Sequence, residues 1–173
     1  MRSGVMLDTS FLITLADSRR DRDRHPVAKQ YFQYFLAEKM PMFVSAIVVA
    51  EFCRQQELAT LPLQQLVLVP FTHEDAVVAA TFDFKPHKSQ EQDRQSLKDD
   101  FKIIGHAHAR ELGYVITDDA ETMFGYCEIL RKEGRTHLRG IKLQTGFSLE
   151  HFTSDGQKDF PVVMEEPSEY QPE

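Results

Sequence analysis

Short apolar runs alternate along this chain with longer stretches in which apolar residues recur at helical spacing. Val5–Leu7, "MFVS" (42–45), "QLVLVPF" (65–71), "YVIT" (114–117) and "GIKLQ" (140–144) read as five short strands, the third ended by Pro70. Between them lie helical periods. Phe11–Ala16 opens a short helix, and "HPVAKQYFQYFLAEK" forms an amphipathic one with Pro26 near its first turn. "AIVVAEFCRQQE" follows Ser45 as its cap, and "THEDAVVAATFDF" follows Thr72. A long helix is predicted from about Leu97 to Leu112, ending near Gly113, and a last one over "AETMFGYCEILRKEG". The segment "KPHKSQEQDRQS" has no apolar period and reads as a loop or crossover. These elements predict one domain over residues 1–152 and an acidic, loosely held tail over 153–173.

Strands separated by helices imply right-handed crossovers and a parallel sheet covered on both faces, an α/β fold. Ligands in such sheets gather at the carboxyl ends of the strands. Asp8 ends the first predicted strand, and "TDD" (Thr117, Asp118, Asp119) ends the fourth.

Composition narrows the classes. The 173 residues are 42% hydrophobic and 27% charged, ordinary values for a single globular domain. No apolar run is long enough for a membrane span, and "MRSGVMLD" lacks the features of a signal peptide, so the expected setting is the cytoplasm, with no membrane partner. Cys53 and Cys127 have no metal or redox spacing and read as buried thiols, although a single pair also leaves a disulfide open. A net charge of −7 argues against a broadly basic surface, and the stretches "SRRDRDRH", "FKPHK" and "RKEGRTHLRGIK" read as solvated faces. An acidic centre and an acidic tail would lower the total without excluding nucleic acid.

Four acids stand where a charge is costly unless partnered. Asp8 lies between two apolar runs, and Glu51 lies in the apolar "SAIVVAEFC" on a face with Ile47 and Val48. Asp100 shares a helical stripe with Leu97, Ile103, Ile104 and Ala107, whereas Asp99 falls on a flank with Lys102 and His106 and reads as solvated. Asp118 and Asp119 follow the fourth strand, where an aspartate also serves as a helix cap. Each acid has a plain structural explanation alone. Together they suit a hard divalent cation, and without His or Cys ligands the site points to Mg²⁺ or Mn²⁺ and to phosphodiester hydrolysis. His106 and His108 have no third ligand at metal spacing and read as structural. Tyr31–Phe35 has helical spacing and reads as core or dimer interface.

In this order, Asp8 in "LDTSFLI", Glu51 in "SAIVVAEF", Asp100 in "DDFKIIGHA" and Asp119 in "VITDD" resemble the PIN-domain nucleases, most of all the toxin ribonucleases of the VapBC type. The resemblance spans roughly residues 5–143 and implies a three-layer α/β/α sandwich with a central parallel sheet. It implies that Asp8, Glu51, Asp100 and Asp119 are catalytic and carry the Mg²⁺ or Mn²⁺. The family's "T-x-D" selects Asp119, with Asp118 and Asp99 as alternatives. Thr9 or Ser10 would fix the Asp8 carboxylate and Thr117 would act similarly, although a capping role suits these hydroxyls equally. The segment before Asp100 is longer than a minimal PIN domain requires, and the tail is additional.

The function implied is a metal-dependent endoribonuclease, the toxin of a type II toxin–antitoxin pair. Its partners would be RNA, a small antitoxin reaching into the acidic cleft, and a second copy of the chain docked through the apolar faces of the first two helices. The alternatives are a housekeeping nuclease for RNA processing and a non-catalytic binding or scaffold protein on a PIN fold.

Overall fold

The computed structural model describes residues 4–82 and 94–153. Most of the polar segment before Asp100, and the tail beyond Thr153, lie outside the described residues. Five strands, β1 (Val5–Leu7), β2 (Met42–Ser45), β3 (Leu66–Val69), β4 (Tyr114–Thr117) and β5 (Arg139–Lys142), form one sheet. Their order is β3-β2-β1-β4-β5, and every pair is parallel. Among the described residues six α-helices flank it: α1 (Thr9–Ala16), α2 (Arg24–Ala37), α3 (Ala46–Phe52), α4 (His73–Ala80), α5 (Arg94–Ala109) and α6 (Met123–Lys132). The result is the α/β/α sandwich that the alternation and the resemblance implied.

The central strand β1 is buried at all three positions, which is why its sequence shows an unbroken apolar run instead of alternation. Met6, Leu7, Phe11, Leu12, Tyr31, Phe35, Phe52, Phe101, Ile103, Ile104 and Ile116 fill the core with almost no exposed surface. The strand order reverses direction between β1 and β4, so their carboxyl ends flank the crevice where parallel α/β sheets take ligands. Asp8 follows one of those strands and Asp118–Asp119 the other.

Local chemistry explains the boundaries. The Ser45 hydroxyl accepts the Ile47 amide (3.2 Å), capping α3, and Thr72 with Asp75 builds a reciprocal capping box at α4. Helix α3 stops at Phe52, five residues short of the predicted end, because the amides of Arg54 and Gln55 bond three residues back and tighten the chain into turns. Helix α5 is closed by Glu111 at φ 54°, not by Gly113. There the Leu112 amide bonds to Ala107 and the Glu111 amide to His108, a Schellman closure in which a non-glycine residue accepts the left-handed conformation. Helix α6 begins three residues later than predicted, because Asp119 first organises a turn.

Two expectations need correction, those for Cys53 and Asp99. Cys53 is exposed, since α3 ends just before it; Cys127 is buried, and both thiols are free. On α1 and α2, Phe11, Leu12, Tyr31 and Phe35 are fully buried in the chain's own core, whereas Leu36 on α2 is 42% exposed. Tyr31 edges onto Phe147 (4.9 Å), and its hydroxyl bonds to the Gly146 carbonyl (3.0 Å), pinning the C-terminal turns to α2. Asp99, read as solvated, is only 8% exposed, and its neighbour on that flank, His106, is fully buried. Among the described residues no helix is long and apolar enough to cross a membrane.

Candidate active site

At the carboxyl edge of β1 and β4 lies a concave pocket of about 300 Å³. It is lined by Asp8, Glu51, Asp99, Asp100 and Asp119, with Thr9, Ser10, Ile13, Arg20, Arg54 and Gln55 completing its walls. The four acids singled out in the sequence are thus brought to one cavity, and Asp99 joins them. Asp118 does not.

Asp8 is held rigidly. Its amide bonds to the Ile116 carbonyl (3.0 Å), continuing the β1–β4 ladder one residue beyond the strand. Its Oδ2 accepts from the Ser10 hydroxyl (2.7 Å) and from the Thr117 hydroxyl (2.8 Å). Those hydroxyls in turn accept the amides of Asp118 (2.9 Å) and Asp119 (2.9 Å), tying the two strand ends together through the Asp8 carboxylate. Thr9 points the other way and donates to Glu51 on α3. Of the two hydroxyls considered for Asp8, Ser10 is the one that reaches it.

Aspartates 118 and 119 separate because consecutive side chains diverge at the end of an extended strand. Asp118 turns toward α1 and α2, where it accepts from Thr14 (2.7 Å), pairs with Arg24 (3.2 Å) and meets the Gln144 amide (3.1 Å). Asp119 faces the pocket while its Oδ1 accepts the amides of Glu121 (3.0 Å) and Thr122 (2.8 Å). Asp119 therefore caps a turn and lines the cavity at once, so the two readings of this position do not compete.

The electrostatics of the pocket are unbalanced. Burial pushes the Asp8 carboxyl up from its ordinary range, against the hydroxyls of Ser10 and Thr117 that favour its charged form. Glu51 is raised by burial and by the charges of Asp8 and Asp99, partly offset by its Thr9 hydrogen bond. Asp100 is pushed up to about 8 by burial first and then by the charges of Asp8, Asp119 and Glu51, with the Thr122 hydroxyl opposing. Its Oδ2 is buried with no hydrogen-bond partner among the described residues. Buried polar atoms are nearly always satisfied, and an orphan carboxylate oxygen among like charges marks a place suited to a cation.

The groups able to take such a cation are the oxygens of Asp8, Asp100, Glu51 and Asp119. Among the described residues no three His, Cys, Asp or Glu side chains converge closely enough to hold a metal ion by themselves. This is compatible with Mg²⁺, which is commonly bound by one or two carboxylates and keeps several waters, and not with a closed structural zinc site.

Sequence reasoning missed two features. Arg20, in the stretch read as a solvated face, and Arg54, in the turn after α3, line the same cavity. Nothing in the hydrophobic pattern marks them, because both side chains reach the pocket from loops whose path only the fold defines.

No protein-family model matches this chain, and no curated protein does either. Solved structures do. A chain of the VapBC2 complex from Rickettsia felis, bound to a DNA fragment from its promoter, superposes with a TM-score of 0.52 at 15% identity, covering 80% of this chain and 97% of that one. A chain of DNA-bound VapBC from Salmonella typhimurium gives 0.49 at 19% identity, covering 82% and 98%. At such identities the likeness concerns architecture, and the Rickettsia superposition takes in nearly the whole partner structure. The fold of this protein is thus VapC-like, a PIN-type α/β/α sandwich with its acidic pocket at the sheet's switch point.

Proposed function

We propose that this protein is a divalent-metal-dependent endoribonuclease, acting as the toxin of a toxin–antitoxin pair. The observation that carries the reading is Asp100: a buried carboxylate with an oxygen unpartnered among the described residues, in a pocket shared with four other acids. A fold shared with a component of a VapBC complex supports a small protein partner, and the acidic pocket is the surface such a partner would have to cover.

In this reading Asp8 and Asp100 are the principal ligands of Mg²⁺ or Mn²⁺, and Glu51 and Asp119 act directly or through water. A bound cation of this kind supplies an activated water and stabilises charge on a phosphate. The chain's own residues do the positioning. Ser10 and Thr117 fix the Asp8 carboxylate, Thr9 orients Glu51, and the Asp119–Thr122 turn holds the fourth acid at the rim. Without a cation, Asp100 keeps its proton up to about pH 8, so at neutral pH cation binding must displace that proton.

The test is calorimetric titration of Mn²⁺ into the wild type and Asp8→Asn, in two buffers of different ionisation enthalpy, beside cleavage of a mixed RNA pool. Saturable binding with proton release, and cleavage lost in the variant, is expected. Cleavage that survives Asp8→Asn would overturn the site assignment. Growth arrest on expression, relieved by an adjacent small open reading frame, separates a toxin from a housekeeping nuclease.

A further inference from the structure

A polyanion entering this pocket faces five carboxylates, and one divalent cation offsets only two of those charges. Among the described residues, the cations in the lining that can supply its remaining attraction are Arg20 and Arg54. Both are exposed, and among the described residues neither closes to within ion-pair distance of a pocket carboxylate. Their placement is specific. Arg20 follows α1, and its Nη1 donates to the Gln55 side chain (3.3 Å), so one hydrogen bond joins the α1–α2 loop to the turn after α3. Arg54 stands beside Gln55 in that turn, its amide bonded to the Glu51 carbonyl (3.2 Å). The early end of α3 thus sets a second guanidinium beside the bridge. Beneath this rim the acids are recessed, with Asp8, Asp99 and Asp100 at most 8% exposed.

We propose that Arg20 and Arg54 hold the phosphate backbone of single-stranded RNA at the mouth of the acidic pocket. This rests on the nuclease reading above and names how its substrate is held. Guanidinium groups suit the task because their forked donors match phosphate oxygens and stay charged at any working pH. A single strand suits the geometry, because a phosphodiester must bend inward to reach recessed carboxylates, whereas a duplex presents its phosphates on a stiff outer ridge.

The two arginines should act on metal and RNA in opposite directions, and a merely structural role would not do this. The experiment uses the full chain with Arg20→Gln, Arg54→Gln, the double variant, and the corresponding lysine variants. Binding of a labelled single-stranded oligoribonucleotide is followed by fluorescence anisotropy across a salt series. Ca²⁺ is present, because its looser coordination supplies charge without the octahedral geometry of Mg²⁺. Mn²⁺ affinity is measured separately by calorimetry without RNA.

Each Gln variant should weaken RNA binding about tenfold and lower the slope of log K against log salt by about 0.7 per lost phosphate contact. Mn²⁺ binding should tighten about two- to fivefold, since a nearby positive charge is gone. The lysine variants should recover most of the RNA affinity. RNA binding that ignores the substitutions, a wild type that binds no RNA, or Mn²⁺ and RNA affinities that fall together would each overturn the proposal. The two readings fail separately. Binding that responds as expected, beside a wild type that cuts no RNA, refutes the nuclease alone. Unresponsive binding beside Mn²⁺-dependent cleavage lost in Asp8→Asn refutes only the arginine clamp.

Discussion

Asp75 and Asp100 are buried to nearly the same degree, 4% and 8% exposed, yet they sit in opposite electrostatic worlds. Asp75, in the first turn of α4, accepts the Thr72 amide (2.8 Å) and hydroxyl (2.9 Å) and pairs with Arg110 (3.1 Å), with His106 3.5 Å away. Burial alone would raise its carboxyl, but the Thr72 and Arg110 hydrogen bonds outweigh burial and hold it below the ordinary range. Asp100, on α5, has burial and like charges acting together, and one oxygen is unpartnered among the described residues. The first carboxylate joins two helices. The second carries a deficit of positive charge that its partners among the described residues do not fill, and that difference separates the two acids.

The largest effect should come from the pocket. Asp8→Asn should lower RNA cleavage by at least about 10²-fold, roughly 3 kcal/mol of barrier, with an unchanged circular dichroism spectrum. Intact turnover in that variant would remove the pocket from the chemistry. Asp75→Ala should cost about 3 kcal/mol in urea unfolding, because Arg110 and the Thr72 cap lose their common partner in a buried setting. A cost near zero would show that the α4–α5 join depends on apolar packing alone.

Asp100→Asn should do the reverse, raising the stability of the cation-free protein at pH 8 by on the order of 2 kcal/mol, because folding no longer has to hold a proton on a buried carboxyl. The sign follows from proton uptake. Asp100 is raised from 3.8 to about 8 in the fold, so between those values the unfolded chain binds fewer protons and this group's contribution to stability falls as pH rises. Asp75 has a lowered folded value, and its contribution is present above 3.8 and is lost as pH falls through that lowered value. Thermal melts should therefore show wild type losing stability from pH 4 to 8 relative to Asp100→Asn, with Mn²⁺ removing the difference. Parallel curves would contradict the charge deficit. The smallest change belongs to Thr117→Val, which strips one hydrogen bond from Asp8 and the acceptor from the Asp119 amide. It should cost about 1 kcal/mol of stability and about tenfold in Mn²⁺ affinity by calorimetry.

Much of this was legible in the chain because it depends on local rules. Unbroken apolar runs marked β1 and β4, and their alternation with helical periods implied a parallel sheet. Caps at Ser45 and Thr72 were readable because a hydroxyl satisfies amides only two or three residues away. Asp8 and Asp119 could be placed at strand ends, and Asp100 on the apolar stripe of its helix, from periodicity alone.

What lay beyond the sequence was everything that depends on which element faces which. Asp99, beside Lys102 on its own helix (2.9 Å), looked solvated on an isolated helical wheel, but α5 packs so that this flank meets the pocket. Asp118 and Asp119 are indistinguishable as neighbours in a string, and strand direction sent one to Arg24 and the other to the cavity. The Asp75–His106–Ser45 contacts and the Arg20–Gln55 bridge at the rim join residues 31 to 61 positions apart. Hydrophobic pattern specifies the elements because burial is decided residue by residue along each one. The charge balance of the site is decided by long-range approach, and only the tertiary structure sets it.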